Sequence, residues 1–147
     1  MIDTAYVSLI GRLLLGMMFL LSGLNKIADP QGTQQYMAAM GMTWMTTLLY
    51  VGAVVVELLG ALSLFLGFRT RLGAWLLFLF MIPTTLVFHT NLSDQNQMIH
   101  FLKNLSVMGG LLYAAAYGAG RLSMDAGMDR GRKTEIPARP LRKVVHQ

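Results

Sequence analysis

The sequence predicts an all-α integral membrane protein whose fold is a four-helix bundle. Of its 147 residues, 54% are hydrophobic and only 13% are charged, whereas soluble domains carry about a quarter charged residues. The apolar residues form four blocks, and each approaches the ~20 residues that cross a hydrocarbon core ~30 Å thick. We place the membrane helices at about residues 6–27, 48–68, 72–88 and 99–117.

The distribution of Lys and Arg over the loops predicts the orientation of these helices. Arg69 and Arg71 lie between the second and third blocks, and more basic residues follow the fourth. The other two loops, residues 28–47 and 89–98, contain no Lys or Arg. Because cytoplasmic loops carry the excess of positive charge, we predict that both termini are cytoplasmic and that these two loops are external.

The first external loop contains signals for a short helix. Asp29 and Pro30 are typical of an N-cap followed by proline at the first helical position. Apolar residues then recur at helical spacing as far as Met40, and Gly41 is a typical C-terminal stop. We predict an amphipathic interfacial helix over residues 30–40, acting as a lid or packing element over the bundle. The alternative is a polar loop.

Residues 1–122 therefore form the predicted transmembrane bundle, and residues 123–147 form a basic cytoplasmic tail. The tail is rich in charge, Gly and Pro, which predicts that it is partly mobile. Membrane lipid is its expected partner. Nucleic-acid binding is not predicted, because no folded basic module accompanies the tail.

Composition excludes several kinds of chemistry. The chain has no cysteine, so it holds no disulfide, thiolate metal site or iron–sulfur cluster, and it has no thiol for redox exchange. A secretory signal peptide is not predicted either, because Arg12 interrupts the apolar core that such a peptide needs.

Glu57 is the most informative polar residue, because it falls near the middle of the second membrane helix. A carboxylate at that depth cannot reach a headgroup, so it must face the bundle interior and be paired, hydrogen-bonded or protonated. On the first helix, Arg12 and Lys26 share one face. Either can approach Glu57, and a structural ion pair between Arg12 and Glu57 is one prediction. A purely structural role between helices is the alternative to a functional one.

The other polar side chains of the helices converge on one level above Glu57. With Glu57, they predict a net-positive pocket that opens outward under the interfacial helix. The predicted ligand-binding residues are Asn25, Lys26, Glu57, His89, His100, Lys103 and Asn104. Glu57 is also the best catalytic candidate. No metal or haem site is predicted, because His89 and His100 have no third ligand nearby except Asp94.

Short sequence runs through residues 6–126 carry a family resemblance by their order and spacing. They are GRLLLG at 11–16, SGLNKI at 22–27, QQYM at 34–37, VELLG at 56–60, LGFRTR at 66–71, FH at 88–89, MIHFLKNL at 98–105, GG at 109–110 and GAGRLSMD at 118–125. The runs resemble the DoxX family of small four-helix bacterial inner-membrane proteins. The resemblance implies the bacterial inner membrane as the location.

The family resemblance implies less about function. Its name-giving members resemble a subunit of thiosulfate:quinone oxidoreductases, and others are linked to membrane complexes that protect against oxidative stress. Most members lack a settled activity, so the resemblance does not show whether this chain is an enzyme. Quinone is an expected ligand by analogy alone, and no cofactor is identified.

Three hypotheses follow for the function. The first is a redox-associated subunit that binds a quinone-like or small anionic ligand in the outer pocket. The second is a non-catalytic scaffold that recruits a soluble oxidoreductase through its tail or outer loops. The third is a small-molecule transporter, which is disfavoured because the inner half offers only Arg12 as a strong polar group. The candidate protein partners are a soluble or membrane redox protein and further copies of this chain, and a homodimer would remove one objection to the transporter.

Overall fold

The first helix, α1 (Thr4–Ala28), shows how a membrane helix of this chain begins and which face it buries. Asp3 is its N-cap, and the Asp3 side chain accepts a hydrogen bond from the backbone N–H of Ala5 at 3.0 Å. The buried face carries Arg12, Gly16, Phe19 and Gly23. A computed structural model of the chain describes residues 3–134, so the end of the predicted mobile tail lies outside the described residues.

The predicted short helix in the first long loop is present as α2 (Pro30–Ala39). Asp29 caps it, because its Oδ1 accepts a hydrogen bond from the backbone N–H of Gly32 at 2.9 Å. Pro30 occupies the first helical position, where its missing N–H costs nothing. Beyond its end, Gly41 takes a positive φ of 89°. The capping residues therefore located this helix correctly.

The next two helices, α3 (Thr46–Leu66) and α4 (Thr70–Phe88), are joined by a tight turn. Gly67 ends α3 with φ +64°, a left-handed conformation that glycine adopts without steric cost. Hydropathy alone had extended this helix to residue 68, because Phe68 is as apolar as the residues before it. Pro83 lies inside α4.

The fifth helix, α5 (Gln95–Tyr117), begins four residues before the predicted start at residue 99. Asp94 caps it by accepting hydrogen bonds from the backbone N–H groups of Asn96 and Gln97 at 2.8 and 3.0 Å. The first turn is polar, so a prediction based on apolar blocks does not detect it. Asp94 is thus the N-cap of α5.

These helices form the predicted four-helix membrane bundle. Consecutive long helices pack as neighbours, α1 on α3, α3 on α4 and α4 on α5, while α5 touches α1 only lightly. Phe19, Leu64, Leu77 and Leu111, one from each long helix, are fully buried at the centre. Within residues 3–134, three helices are long and apolar enough to cross a membrane, namely α1, α3 and α4. The more polar α5 completes the bundle.

A sixth helix, α6 (Met124–Thr134), was not predicted. It lies at the end of the bundle opposite α2, and its residue Asp125 docks on the turn between α3 and α4. The Asp125 carboxylate accepts hydrogen bonds from the backbone N–H groups of Arg69 and Thr70 at 2.8 and 3.1 Å. The backbone N–H of Asp125 donates to the carbonyl oxygen of Gly67 at 2.9 Å. Asp125 therefore caps α4 in place of Arg69, whose own side chain does not.

Candidate functional site

A cavity of about 1020 Å³ opens in the half of the bundle that carries α2. All of α1 to α5 contribute to its walls, although α5 adds only Lys103 and Asn104. Six of the seven predicted ligand-binding residues line it: Asn25, Lys26, Glu57, His89, Lys103 and Asn104. Most other lining side chains are apolar. Small-molecule sites are typically such cavities, with a few convergent polar groups on apolar walls.

The polar centre of the cavity is an ion pair between Lys26 and Glu57. The Lys26 Nζ lies 2.9 Å from Glu57 Oε2 and 3.0 Å from Oε1. Ser22, one turn before Lys26, accepts a hydrogen bond from Lys26 Nζ at 2.8 Å and donates one to Glu57 Oε1 at 3.2 Å. Glu57 is 3% exposed and the Lys26 side chain 22%. The negative charge of the buried Glu57 carboxylate is therefore balanced by Lys26, and the pair holds Lys26 at the cavity wall.

The prediction of an ion pair between Arg12 and Glu57 is wrong. The Arg12 guanidinium lies at the α6 end, where Nη1 and Nη2 donate to the carbonyl oxygens of Leu64 and Leu122, each at 2.7 Å. Arg12 and Lys26 do share a face of α1, but fourteen residues of helix separate them by about 21 Å. The Glu57 carboxylate cannot contact two cations that far apart along α1. It lies at the depth of Lys26 and pairs with that residue.

Of the two predicted histidines, only His89 lines the cavity. His89 and His100 stack with ring centroids 5.2 Å apart. His89 Nδ1 contacts Gln97 Oε1 at 2.9 Å, and Lys103 Nζ lies 3.3 Å from His100 Nδ1. His100 is the one predicted site residue that does not line the cavity. It positions two residues that do.

Asn104 of α5 and Asn25 of α1 both line the cavity. Asn104 is buried, and its Nδ2 donates a hydrogen bond to Thr85 Oγ1 at 3.1 Å. This bond joins α5 to α4 and fixes the orientation of the amide. Asn25 is exposed and lies one residue before Lys26 on α1. The two amides therefore differ, since one is held by the protein and the other is available to a ligand.

Sequence reasoning missed several residues that shape the cavity. Tyr36 of α2 stacks on Phe88 at the end of α4, with ring centroids 5.2 Å apart. Ser22 anchors the ion pair, and the Tyr50 hydroxyl donates to the carbonyl oxygen of Lys26 at 3.1 Å. Ser22 precedes Lys26 by four residues, so helical spacing was a usable signal for it. The stacking of Tyr36 on Phe88 joins two helices that no local pattern relates.

Comparison with known proteins identifies the family of this chain. The model of the DoxX family matches residues 7–90, which run from α1 through α4. The chain belongs to the DoxX family. The resemblance noted in the sequence is thereby confirmed, and the matched range includes both members of the ion pair, Lys26 and Glu57. Lys103 and Asn104 lie beyond it, so in this DoxX chain the family match covers only part of the cavity.

Two curated relatives extend the similarity beyond the DoxX match. The chain is 36% identical over 117 residues to inner membrane protein YqjF of Escherichia coli strain K12, covering 80% of this chain and 88% of the relative. It is 35% identical over 122 residues to inner membrane protein YphA of the same organism, covering 80% and 86%. No solved structure matches significantly. With its apolar helices, the chain is a multi-pass inner-membrane protein of the DoxX family.

Proposed function

We propose that the protein is a redox-associated membrane subunit that binds a quinone-like ligand in the cavity beneath α2. One observation carries the proposal: a cavity with mainly apolar walls gathers its polar groups around the Lys26–Glu57 pair. A quinone has the matching chemistry, since its ring is flat and apolar and its two oxygens accept hydrogen bonds. At about 1020 Å³ the cavity is at the upper end of ligand sites.

The polar residues have different roles in this proposal. Glu57 and Ser22 accept three hydrogen bonds from the Lys26 ammonium and so fix it at the cavity wall before the ligand arrives. Lys103 and Asn25 donate hydrogen bonds to the ligand oxygens. A small hydrophilic anion is less well matched, because Glu57 already balances the charge of Lys26 and most of the wall is apolar. The chain has no cysteine, so no thiol of its own takes part in electron transfer.

Ligand binding tests this proposal directly. We expect the purified protein in detergent to bind short-tailed ubiquinone or menaquinone analogues. The double variant Glu57→Gln, Lys103→Met should bind them about tenfold more weakly, which corresponds to ~1.4 kcal/mol. Isothermal titration and fluorescence quenching measure the affinities, and thermal unfolding checks that the variant is folded.

The matched control is the double variant Asp129→Asn, Arg121→Met, which makes the same change of charge at exposed positions of the α6 end. It should bind the analogues like the wild type. Equal affinity of the two double variants would contradict the proposal, as would a wild type that binds small anions and no quinone analogue.

The proposal also needs an orientation, with the cavity on the periplasmic side. Support comes from the basic residues of the described chain that cluster at the α6 end, among them Arg69, Arg71, Arg121 and Arg130. Cytoplasmic loops carry such an excess of positive charge. Both termini are then cytoplasmic, and the loop between α4 and α5 is external.

The native absence of cysteine makes this orientation simple to test. Asn91→Cys places a thiol in the α4–α5 loop, and Gly127→Cys places one on α6, where an added Cβ meets open space. A membrane-impermeant maleimide should label Asn91→Cys in intact spheroplasts and Gly127→Cys only after lysis. The reverse pattern would show that the cavity opens to the cytoplasm.

A further inference from the structure

We infer that the ligand enters the cavity from the bilayer, through a lateral gap between α3 and α4, and that it carries an apolar tail that occupies this gap. The inference rests on the proposed function and narrows its ligand to a lipid-soluble ring compound with a chain of isoprenoid type. It follows from how closely the two helices approach each other along their length.

The two helices are in tight contact in the half of the bundle near α6. A Cβ added to Gly60 of α3 would overlap the Leu77 side chain of α4. A Cβ added to Gly73 of α4 would overlap the Ser63 side chain of α3. Glycine at these two positions lets the helices pack without room for another side chain, so no ligand passes there.

The same two faces separate in the half of the bundle near α2. Gly52 lies eleven residues before Ser63, and Thr84 lies eleven residues after Gly73. Eleven residues make about three turns, so each pair lies on one face of its helix. Yet a Cβ added to Gly52 would meet no atom within 4 Å, and both Gly52 and Thr84 line the cavity. The helices diverge, and the cavity occupies the space between them.

This gap is apolar and faces the lipid. Gly52 and Pro83, on either side of it, are both exposed on the surface of membrane helices. Their neighbours along the opening include the exposed side chains of Leu49 and Val87, which also line the cavity. No Lys, Arg, Asp or Glu of the described chain lies among the α4 residues of the cavity wall. Lipid tails and isoprenoid chains are compatible with such a surface.

On the water side, α2 covers part of the cavity. Above the cavity, α2 contributes Tyr36, which stacks on Phe88, and Met37, which is only 7% exposed. These contacts tie the short helix to the end of α4. A ligand that partitions into the bilayer reaches the polar centre laterally without displacing them. The ring then lies beside Lys26, and the tail remains between α3 and α4.

A bulky residue at Gly52 tests the gap. The variant Gly52→Phe, reconstituted in lipid nanodiscs, should bind a long-tailed quinone about tenfold more slowly than the wild type. A tailless analogue added from water should bind with an affinity within about threefold of the wild type, ~0.7 kcal/mol. Stopped-flow quenching of Trp75 and Trp44 fluorescence follows both reactions.

The matched control is Gly109→Phe, since Gly109 of α5 also meets nothing within 4 Å and does not line the cavity. It should leave both reactions unchanged. Unaltered binding of the long-tailed quinone to Gly52→Phe would overturn the lateral route, and so would an equal loss of both analogues. A wild type that binds the tailless analogue but never a tailed one would overturn the route and leave the proposed function standing. A wild type that binds neither would overturn both.

Discussion

Replacing Lys26 by methionine is expected to destabilise the protein by about 3 kcal/mol. The substitution leaves the Glu57 carboxylate, which is 3% exposed, without its cation. Ser22 donates the one side-chain hydrogen bond that then remains among the described contacts of Glu57. Breaking a buried pair by removing one partner is costly, because the other charge stays in a medium of low dielectric constant. Unfolding in mixed micelles, followed by circular dichroism, measures the change.

The double variant Lys26→Met, Glu57→Gln separates the cost of the lone charge from the loss of the pair. It should recover most of the stability lost in Lys26→Met, because no buried charge remains. Arg121→Met removes an exposed cation and should change the free energy of unfolding by less than about 0.5 kcal/mol. A Lys26→Met variant as stable as Arg121→Met would show that the pair does not hold α1 on α3.

Gly60→Leu is expected to be the second strongly destabilising substitution, at about 3 kcal/mol. Leu77 is fully buried, and the first added carbon already overlaps it. Because Leu77 packs in the central cluster with Phe19 and Leu64, it cannot move without displacing other buried side chains. The helices α3 and α4 would have to move apart in the half where they now touch.

Gly109→Leu is the appropriate control, and its effect should have the opposite sign. An added side chain there meets open space, and leucine favours a helix over glycine by up to about 1 kcal/mol. Parallel measurements in the same micelles would show a loss for Gly60→Leu and a small gain for Gly109→Leu. A similar loss in both variants would mean that side-chain bulk, and not close packing at Gly60, decides the outcome.

The sequence predicted best those features that depend on the periodicity and hydropathy of individual helices. Loop charges and apolar blocks predicted one polar level, and Lys26, His89 and Lys103 do meet around one cavity. Helical spacing also placed Arg12 and Lys26 on a common face of α1. These features follow from local periodicity, which hydropathy and the helical repeat define directly.

The features that the sequence did not reveal depend on distances between helices. The choice between Arg12 and Lys26 as partner of Glu57 is a matter of depth, which α3 determines by where it begins. The gap at Gly52 and the contact at Gly60 involve the same residue type, so only the neighbouring helix distinguishes them. α6 was not predicted because many of its residues are charged. It docks through the Asp125 carboxylate, which accepts a hydrogen bond from the backbone of a turn distant in sequence.

Arg12 and Lys26, the two cations of α1, differ in how much further chain must be synthesised before their partners exist. Lys26 meets Glu57 after 31 further residues, so a hairpin of the first two membrane helices neutralises it. Arg12 donates a hydrogen bond to the carbonyl oxygen of Leu122, which is synthesised 110 residues later. Until Leu122 has been synthesised, the Arg12 guanidinium lacks one of the two carbonyl partners that it has in the fold. The segment that follows α5, and not insertion of the first helix, therefore closes this end of the bundle.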